Sequence, residues 1–135
     1  MSLQVEMLEQ SFDLVAPCGD EMVDRFYERV FAVTPELRQL FGGVDMATQR
    51  KILLSTLVLL RKSLRNLGAI VPALESLGAK HAGYGVRPED YPVAGMALLA
   101  TMAEMGGEGW IPAYSEAWAE AWGVVQETML RGAAA

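Results

Sequence analysis

Apolar residues recur along most of the chain at steps of three and four, which is the period of an amphipathic α-helix. Six stripes show this period: Leu8–Phe12–Val15, Val23–Tyr27–Val30–Phe31, Gln49–Leu53–Leu57–Leu60, Leu74–Leu77–His81, Tyr91–Ala94–Leu98–Met102–Met105 and Tyr114–Trp118–Ala121–Trp122–Val125–Met129. No convincing strand pattern occurs, and no Asn-Gly or Asp-Gly hairpin turn separates alternating runs. The sequence therefore predicts an all-α fold of about seven helices, some of them short.

Capping and turn residues predict where these helices begin and end. Thr34 is the expected N-cap of a short helix with Pro35 at its first position, and Gly42-Gly43 ends it near Phe41. Asp45 is the expected N-cap of a long helix through about Leu67, and another helix is expected from about Val71 to His81. A further helix entry is expected at Arg87–Asp90, and a break at Gly106-Gly107. The tail Gly132–Ala135 is expected to fray. Helices of such unequal length favour a compact fold with larger crossing angles over an up-and-down bundle.

Composition and charge narrow the function classes. The chain has 135 residues, the size of one domain (1–135), and carries 11 basic against 17 acidic residues, a net charge of −6 that argues against nucleic-acid binding. Because Cys18 is the only cysteine, an internal disulfide and a multi-cysteine metal site within one chain are excluded. The most apolar run, Ile52 to Leu60, is far shorter than the ~20 residues of a membrane span. Met1–Glu6 lacks the basic start of a secretory signal, so we expect a soluble cytoplasmic protein with no membrane span.

The single histidine, His81, is the most informative residue for chemistry. One interpretation is a surface or capping histidine near a helix C-terminus, where the helix dipole favours a cation. The other is an axial ligand to haem iron, because His81 shares a helix face with Leu74 and Leu77 and would point into an apolar cavity. Nucleotide-binding glycine loops, a nucleophile elbow and a His-Glu-x-x-His metal motif do not occur.

Tyr27 and Gln49 are unusual on their apolar faces. Each carries a polar tip, and a buried polar tip needs a hydrogen-bond partner. They are either core residues with a partner in the protein or donors to a bound diatomic ligand.

Taken in order, several segments resemble one family. They are Phe26–Phe31, Thr34–Phe41, Gln49–Leu53, Ala79–Val86, Tyr91–Val93 and Ala117–Val124, within a span from about Met22 to Thr128. In this order and spacing the chain resembles bacterial single-domain haemoglobins of the Vitreoscilla type and the globin half of flavohaemoglobins. The resemblance implies a globin fold, a three-over-three helical sandwich around haem b, and an oxygen-binding protein of storage or transport.

The resemblance also implies roles for particular residues. His81 matches the proximal iron ligand, and Tyr27 and Gln49 match the distal tyrosine and glutamine. The matched haem contacts are Phe41 against the porphyrin face, Leu53 one turn after the glutamine, Leu77 on the ligand face, Lys80 beside the ligand near a propionate, Val86 after the proximal helix and Tyr91 next to the histidine. The expected ligands are O2, CO and NO.

The match fails at one position. The family has a glutamate late in the last helix that joins a proximal Tyr–Glu–His network. Alignment on Trp118 and Gly123 puts that position near Ala133, and Glu127 is more than a turn too early. We therefore expect the network to be incomplete, which weakens the case for peroxidase-like chemistry.

Three functions stay open from the sequence. The first is reversible O2 binding. The second is enzymatic NO dioxygenation with a flavin reductase acting in trans, and the third is a haem-free helical interaction or regulatory module. Because His81 is the sole histidine, a bis-histidine iron within one chain is excluded. Trp110, Ile111 and the methionine-rich helix from Met96 to Met105 either belong to the core or expose an apolar patch, and a homodimer stays open.

Overall fold

The computed structural model describes residues 4–134, and seven α-helices account for most of them. They are α1 (Val5–Val15), α2 (Gly19–Val33), α3 (Leu37–Leu40), α4 (Met46–Lys62), α5 (Val71–Gly83), α6 (Asp90–Gly106) and α7 (Pro112–Ala134). Three short 3₁₀ turns lie at Ala16–Cys18, Leu67–Ala69 and Gly107–Gly109. Within the described residues no strand occurs, which confirms the predicted all-α class.

Apart from the single-turn α3, the helices pack as two layers of three, with α2, α6 and α7 in one layer and α1, α4 and α5 in the other. Helix α2 packs on α6, and α6 packs on α7; across the layers, α5 packs on α7, α2 on α4, and α1 on both α6 and α7. The stripes predicted from the sequence supply the core, with Leu8, Met22, Met102 and Trp118 among its most buried side chains. The layers thus meet along the apolar faces that the periodicity marks out. None of the helices within residues 4–134 is long and apolar enough to cross a membrane.

Two glycines allow α5 and α7 to approach each other almost backbone to backbone. A Cβ on Gly78 of α5 would overlap the backbone of Met129, and a Cβ on Gly132 of α7 would overlap the backbone of Glu75. Only glycine fits at such crossings. This reciprocal contact fixes the second half of α5, which carries His81, against α7.

The capping predictions hold at some boundaries and fail at others. Asp45 caps α4 as predicted, because its carboxylate accepts a hydrogen bond from the backbone N–H of Ala47 at 3.2 Å. The short α3 begins at Leu37, two residues later than predicted. Its entry is a turn in which the Leu37 N–H donates to the backbone carbonyl of Thr34, so the Thr34 side chain is not the cap.

Three predicted helix ends were wrong. Helix α4 ends at Lys62 rather than near Leu67, because the N–H of Asn66 turns back to the carbonyl of Ser63. Helix α5 continues through Gly83, and the chain turns at Gly85, whose φ is +97°. The tail expected to fray is helical through Ala134, since Gly132 is packed against α5. Ala135 and the start of the segment Met1–Glu6 lie outside the described residues.

The patch expected around Trp110 divides between core and surface. Trp110 packs against the core and donates its indole N–H to Ser115 at 2.8 Å, and Met102 is fully buried. Ile111 and Met96 are exposed. Helix α6 therefore buries one face and leaves isolated apolar residues on the other.

Ion pairs join α1 to α4 on the surface. The Arg61 guanidinium makes two hydrogen bonds of 3.0 Å to the carboxylate of Asp13, and Arg65 bonds Glu9 at 2.8 Å. The bond from Arg61 lowers the pKa of Asp13 below its ordinary value. Exposed pairs of this kind add little stability singly, but they orient α4, whose other face forms the wall of a cavity.

Candidate ligand pocket

A large apolar cavity lies between the two layers. Its volume, including the part open to solvent, is about 1210 Å³. The wall is formed by side chains from six of the helices and two loops: Phe26, Tyr27, Val30, Leu37, Phe41, Gln49, Ile52, Leu53, Thr56, Leu57, Leu60, Leu74, Leu77, His81, Val86, Asp90, Tyr91, Ala94, Leu98, Trp118, Ala121, Trp122, Val125 and Met129. Most of these residues are apolar, so the cavity suits a large hydrophobic ligand.

His81 enters this cavity from the last turns of α5. Its Nδ1 lies 2.7 Å from the backbone carbonyl oxygen of Leu77. Because a carbonyl only accepts, Nδ1 carries a proton and donates it in this contact. Nε2 is therefore the ring nitrogen that remains to bind a metal. A backbone carbonyl on the second ring nitrogen is the usual arrangement for a histidine that binds a metal.

Tyr91 stands beside this histidine at the start of α6. The two rings are 6.5 Å apart between centroids and meet at 60°. Burial raises the pKa of the Tyr91 hydroxyl, and the negative charge of neighbouring Asp90 raises it further. Tyr91 is therefore a neutral side chain that packs against His81.

Asp90 is an unexpected carboxylate in the cavity wall. Its side chain is almost fully buried and accepts a hydrogen bond of 2.8 Å from the backbone N–H of Arg87. This bond closes the turn into α6, where the sequence predicts a helix entry. The sequence showed the entry but gave no sign that this carboxylate also lines a cavity.

Tyr27 and Gln49 supply polar groups to the wall formed by α2 and α4. Tyr27 is buried, and Gln49 is half-buried one helical turn after the start of α4. Burial raises the pKa of the Tyr27 hydroxyl, and hydrogen bonding with the Gln49 side chain opposes that rise in part. The phenol is thus protonated at neutral pH and can act as a hydrogen-bond donor.

The structure brings eight of the nine sequence-predicted site residues into the lining of one cavity. They are Tyr27, Phe41, Gln49, Leu53, Leu77, His81, Val86 and Tyr91. Lys80 is exposed and does not line the cavity. It lies beside the exposed Ala79 on the outer side of α5. A contact from Lys80 would have to be made at the rim.

Several wall residues were not among the predicted site residues. Met129, Val125 and Trp122 line the cavity from α7, and Phe26 and Val30 line it from α2. The stripe on α7 was visible in the sequence as an apolar face. Periodicity alone does not distinguish a face that packs against protein from a face that surrounds a ligand.

The proximal carboxylate missing from the sequence has no substitute at His81. Glu127 is exposed on α7, and Ala133 lies near the end of that helix. Among the described hydrogen bonds, the partner of Nδ1 is the Leu77 carbonyl. The residues present fit a planar, largely apolar cofactor bound through one imidazole.

Comparisons with known proteins agree with this fold and cavity. The family model described as Globin matches residues 24–129. A flavohemoprotein of Bacillus subtilis (strain 168) is 29% identical over 128 residues, which cover 93% of this chain and 32% of the relative. A second flavohemoprotein, from Rhodopirellula baltica, is also 29% identical over 128 residues, and the match covers 31% of that protein. The chain spans about a third of the length of these curated relatives.

Solved structures show the same fold. A bacterial globin from Campylobacter jejuni superposes with a TM-score of 0.83 at 21% identity, covering 96% of this chain and 94% of that one. An engineered carbene transferase from Rhodothermus marinus, named as a candidate nitric oxide dioxygenase, superposes with a TM-score of 0.89 at 21% identity, covering 99% and 94%. At this identity the likeness concerns the fold alone.

Proposed function

Because the chain belongs to the globin family, with its model matching residues 24–129, we propose that it binds O2 reversibly at a haem b ligated by His81. The observation that carries this proposal is the free Nε2 of His81 in the wall of an apolar cavity that Tyr27 and Gln49 also line. Such a cavity offers one nitrogen ligand to an iron and two hydrogen-bonding groups to a small gas.

The cofactor would supply reversible coordination of O2, CO and NO. Leu77, through its carbonyl, would hold the ring of His81 with Nδ1 as the hydrogen-bond donor, so that Nε2 is the nitrogen left to bind iron. Phe41, Leu53 and Val86 are apolar wall residues that would bury the porphyrin faces and exclude water, with a gain of about 25 cal/mol per Å² of apolar area removed from water. Lys80, which is exposed and precedes His81 in the chain, would approach a propionate from outside the cavity.

Tyr27 and Gln49 would discriminate between gases. A ligand that becomes polarised on binding, such as O2, accepts hydrogen bonds from the phenol and the amide, whereas CO gains less from them. Each bond contributes roughly 1 kcal/mol net, which is enough to slow O2 release.

A second candidate function is NO dioxygenation. It is favoured by the naming of the R. marinus neighbour and by the flavohemoprotein relatives, which are about three times as long as this chain. In this reaction O2 and NO give nitrate, and a separate flavin reductase would return the electron that each turnover consumes. Multiple turnovers of NO with such a reductase would favour this function over O2 storage or transport. For either function we propose a cytoplasmic location.

The test is haem uptake by the purified full chain and its His81→Ala variant. We expect the parent protein to bind one haem per chain and to give a sharp Soret band that shifts when the reduced protein meets CO. His81→Ala should lose stoichiometric uptake, while the control Tyr84→Ala, at an exposed aromatic three residues away, should retain it. No uptake by the parent would favour a haem-free helical module, and an unchanged spectrum for His81→Ala would refute the ligand assignment.

A further inference from the structure

Phe31 lies behind the cavity wall and touches two residues that form it. Its ring stacks on Tyr27, with centroids 6.0 Å apart and planes inclined by 30°, and meets Phe41 edge-on at 5.5 Å. Tyr27 and Phe41 also meet edge-on at 5.9 Å. The three rings therefore form a closed triangle, of which Tyr27 and Phe41 line the cavity while Phe31 does not.

Arg38 covers the outer side of this triangle. Its guanidinium carbon lies 4.8 Å from the centroid of the Phe31 ring, a cation–π contact. Arg38 belongs to α3, a helix of a single turn that leads directly into Phe41. The contact consequently joins α3 to the end of α2 and limits movement of both Phe31 and Phe41.

The position of the Tyr27 hydroxyl depends on how its ring is held. Phe26 packs edge-on against one side of that ring at 5.0 Å, and Phe31 stacks against it at 6.0 Å. A tyrosine side chain has two torsions, so contacts that fix the ring also fix the oxygen. A hydrogen bond weakens steeply when its angle or length departs from the favoured geometry.

We propose that Phe31 is a positioning residue, which, together with Arg38, holds the Tyr27 phenol in the orientation that donates to a bound gas. The inference rests on the proposed function for the identity of that gas. Phe31 lies outside the cavity, so its effect on a bound gas must pass through one of the two lining residues that it touches, Tyr27 or Phe41. Coupling to a substitution at Tyr27 distinguishes these two routes.

A double-mutant cycle tests this route. The O2 dissociation rate of the haem-loaded protein is measured for the parent, Phe31→Leu, Tyr27→Phe and the double variant. We expect Phe31→Leu to raise the rate about threefold or more when Tyr27 is present, and to change it little when residue 27 is phenylalanine. The C–O stretch of the CO complex should move toward that of Tyr27→Phe in the same variant.

Phe12→Leu is the matched control. Phe12 is also buried, but its ring pairs with Trp118 at 6.4 Å. It should lower stability without producing the coupling to Tyr27. Equal fold-changes for Phe31→Leu in both backgrounds, or the same coupling for Phe12→Leu, would overturn the proposal.

A readout without haem separates this proposal from the proposed function. In the full chain labelled with 3-fluorotyrosine, the Tyr27 signal is assigned by its loss in Tyr27→Phe. Phe31→Leu should shift that signal, and Phe12→Leu should not. If Tyr27→Phe leaves the O2 rate unchanged, the hydrogen bond from Tyr27 to the bound gas is refuted, whereas the proposed haem binding by His81 still stands or falls with the haem-uptake test. The fluorine signal then decides the positioning role, and an unmoved signal in Phe31→Leu would refute that role.

Discussion

At Tyr27, burial determines the protonation of a single group. The folded protein holds this phenol neutral above its ordinary pKa because the charged form would be poorly solvated. The unfolded chain ionises the same group near its ordinary pKa of about 10. Because the folded pKa is raised, stability is fully present below the unfolded pKa and is lost as the pH rises from there through the folded pKa.

This predicts an alkaline loss of stability that depends on Tyr27. The free energy of unfolding, measured by denaturant titration, should decline above about pH 10 in the parent protein. Tyr27→Phe should make that decline shallower, although Tyr91 retains its own share because burial raises its pKa too. The control Tyr84→Phe, at an exposed site, should follow the parent. Parallel curves for the parent and Tyr27→Phe would contradict the shift.

Single residues also show how far sequence reasoning reached. Spacing placed His81 on the face of Leu74 and Leu77. It did not decide between a surface or capping histidine and a metal ligand. The family resemblance supplied the choice, and the structure places His81 in the cavity wall. Asp90 could not have been recognised from the sequence as a residue of the cavity wall. Its burial results from the turn at Arg87 and not from a position in an apolar stripe.

Among the helices, α5 and α7 depend on each other most closely. Gly78 and Gly132 each face the backbone of the partner helix, at Met129 and Glu75. A side chain at either glycine cannot be relieved by a rotamer change, since the opposing atoms are main chain. The contact also sets the distance between His81 and the α7 wall of the cavity.

Gly78→Ala should therefore destabilise the protein by about 1–3 kcal/mol, the usual cost of an overpacked interior. The matched control is Gly123→Ala in the middle of α7, where a Cβ meets nothing within 4 Å. That control should stabilise the helix by roughly 0.5–1 kcal/mol, because glycine loses more backbone freedom than alanine on folding. Thermal unfolding monitored by circular dichroism measures both, and an equal response of the two variants would refute the close contact.

Helix existence was easier to predict than helix ends. The apolar stripes identify the long helices because each buries a continuous face. The end of α4 was wrong because of a local turn, and the end of α7 was wrong because of a tertiary contact. Asn66 turns the chain back after Lys62, and the packing of Gly132 on α5 keeps the tail helical where composition predicted fraying. Capping at Asp45 was predictable because that interaction is local.

At the scale of the whole molecule, the cavity is a product of assembly. Its polar groups come from residues far apart in the chain, Tyr27, Gln49 and His81, on three different helices. Periodicity assigns each to an apolar face, but only the packing of α4 on α2 and of α5 on α7 brings these faces around one cavity. The resemblance to a known family predicted this convergence, whereas the residue pattern alone did not.

The most direct test of the account is the effect of Tyr27→Phe on the dissociation of two gases from the haem-loaded protein. Stopped-flow rates for O2 and CO are compared with those of the parent and of Tyr114→Phe, whose hydroxyl contacts Gln10 instead. We expect the O2 rate to rise about fivefold, the equivalent of a hydrogen bond of ~1 kcal/mol, and the CO rate to change much less. Equal changes for both gases, or none, would contradict a pocket that holds O2 through Tyr27.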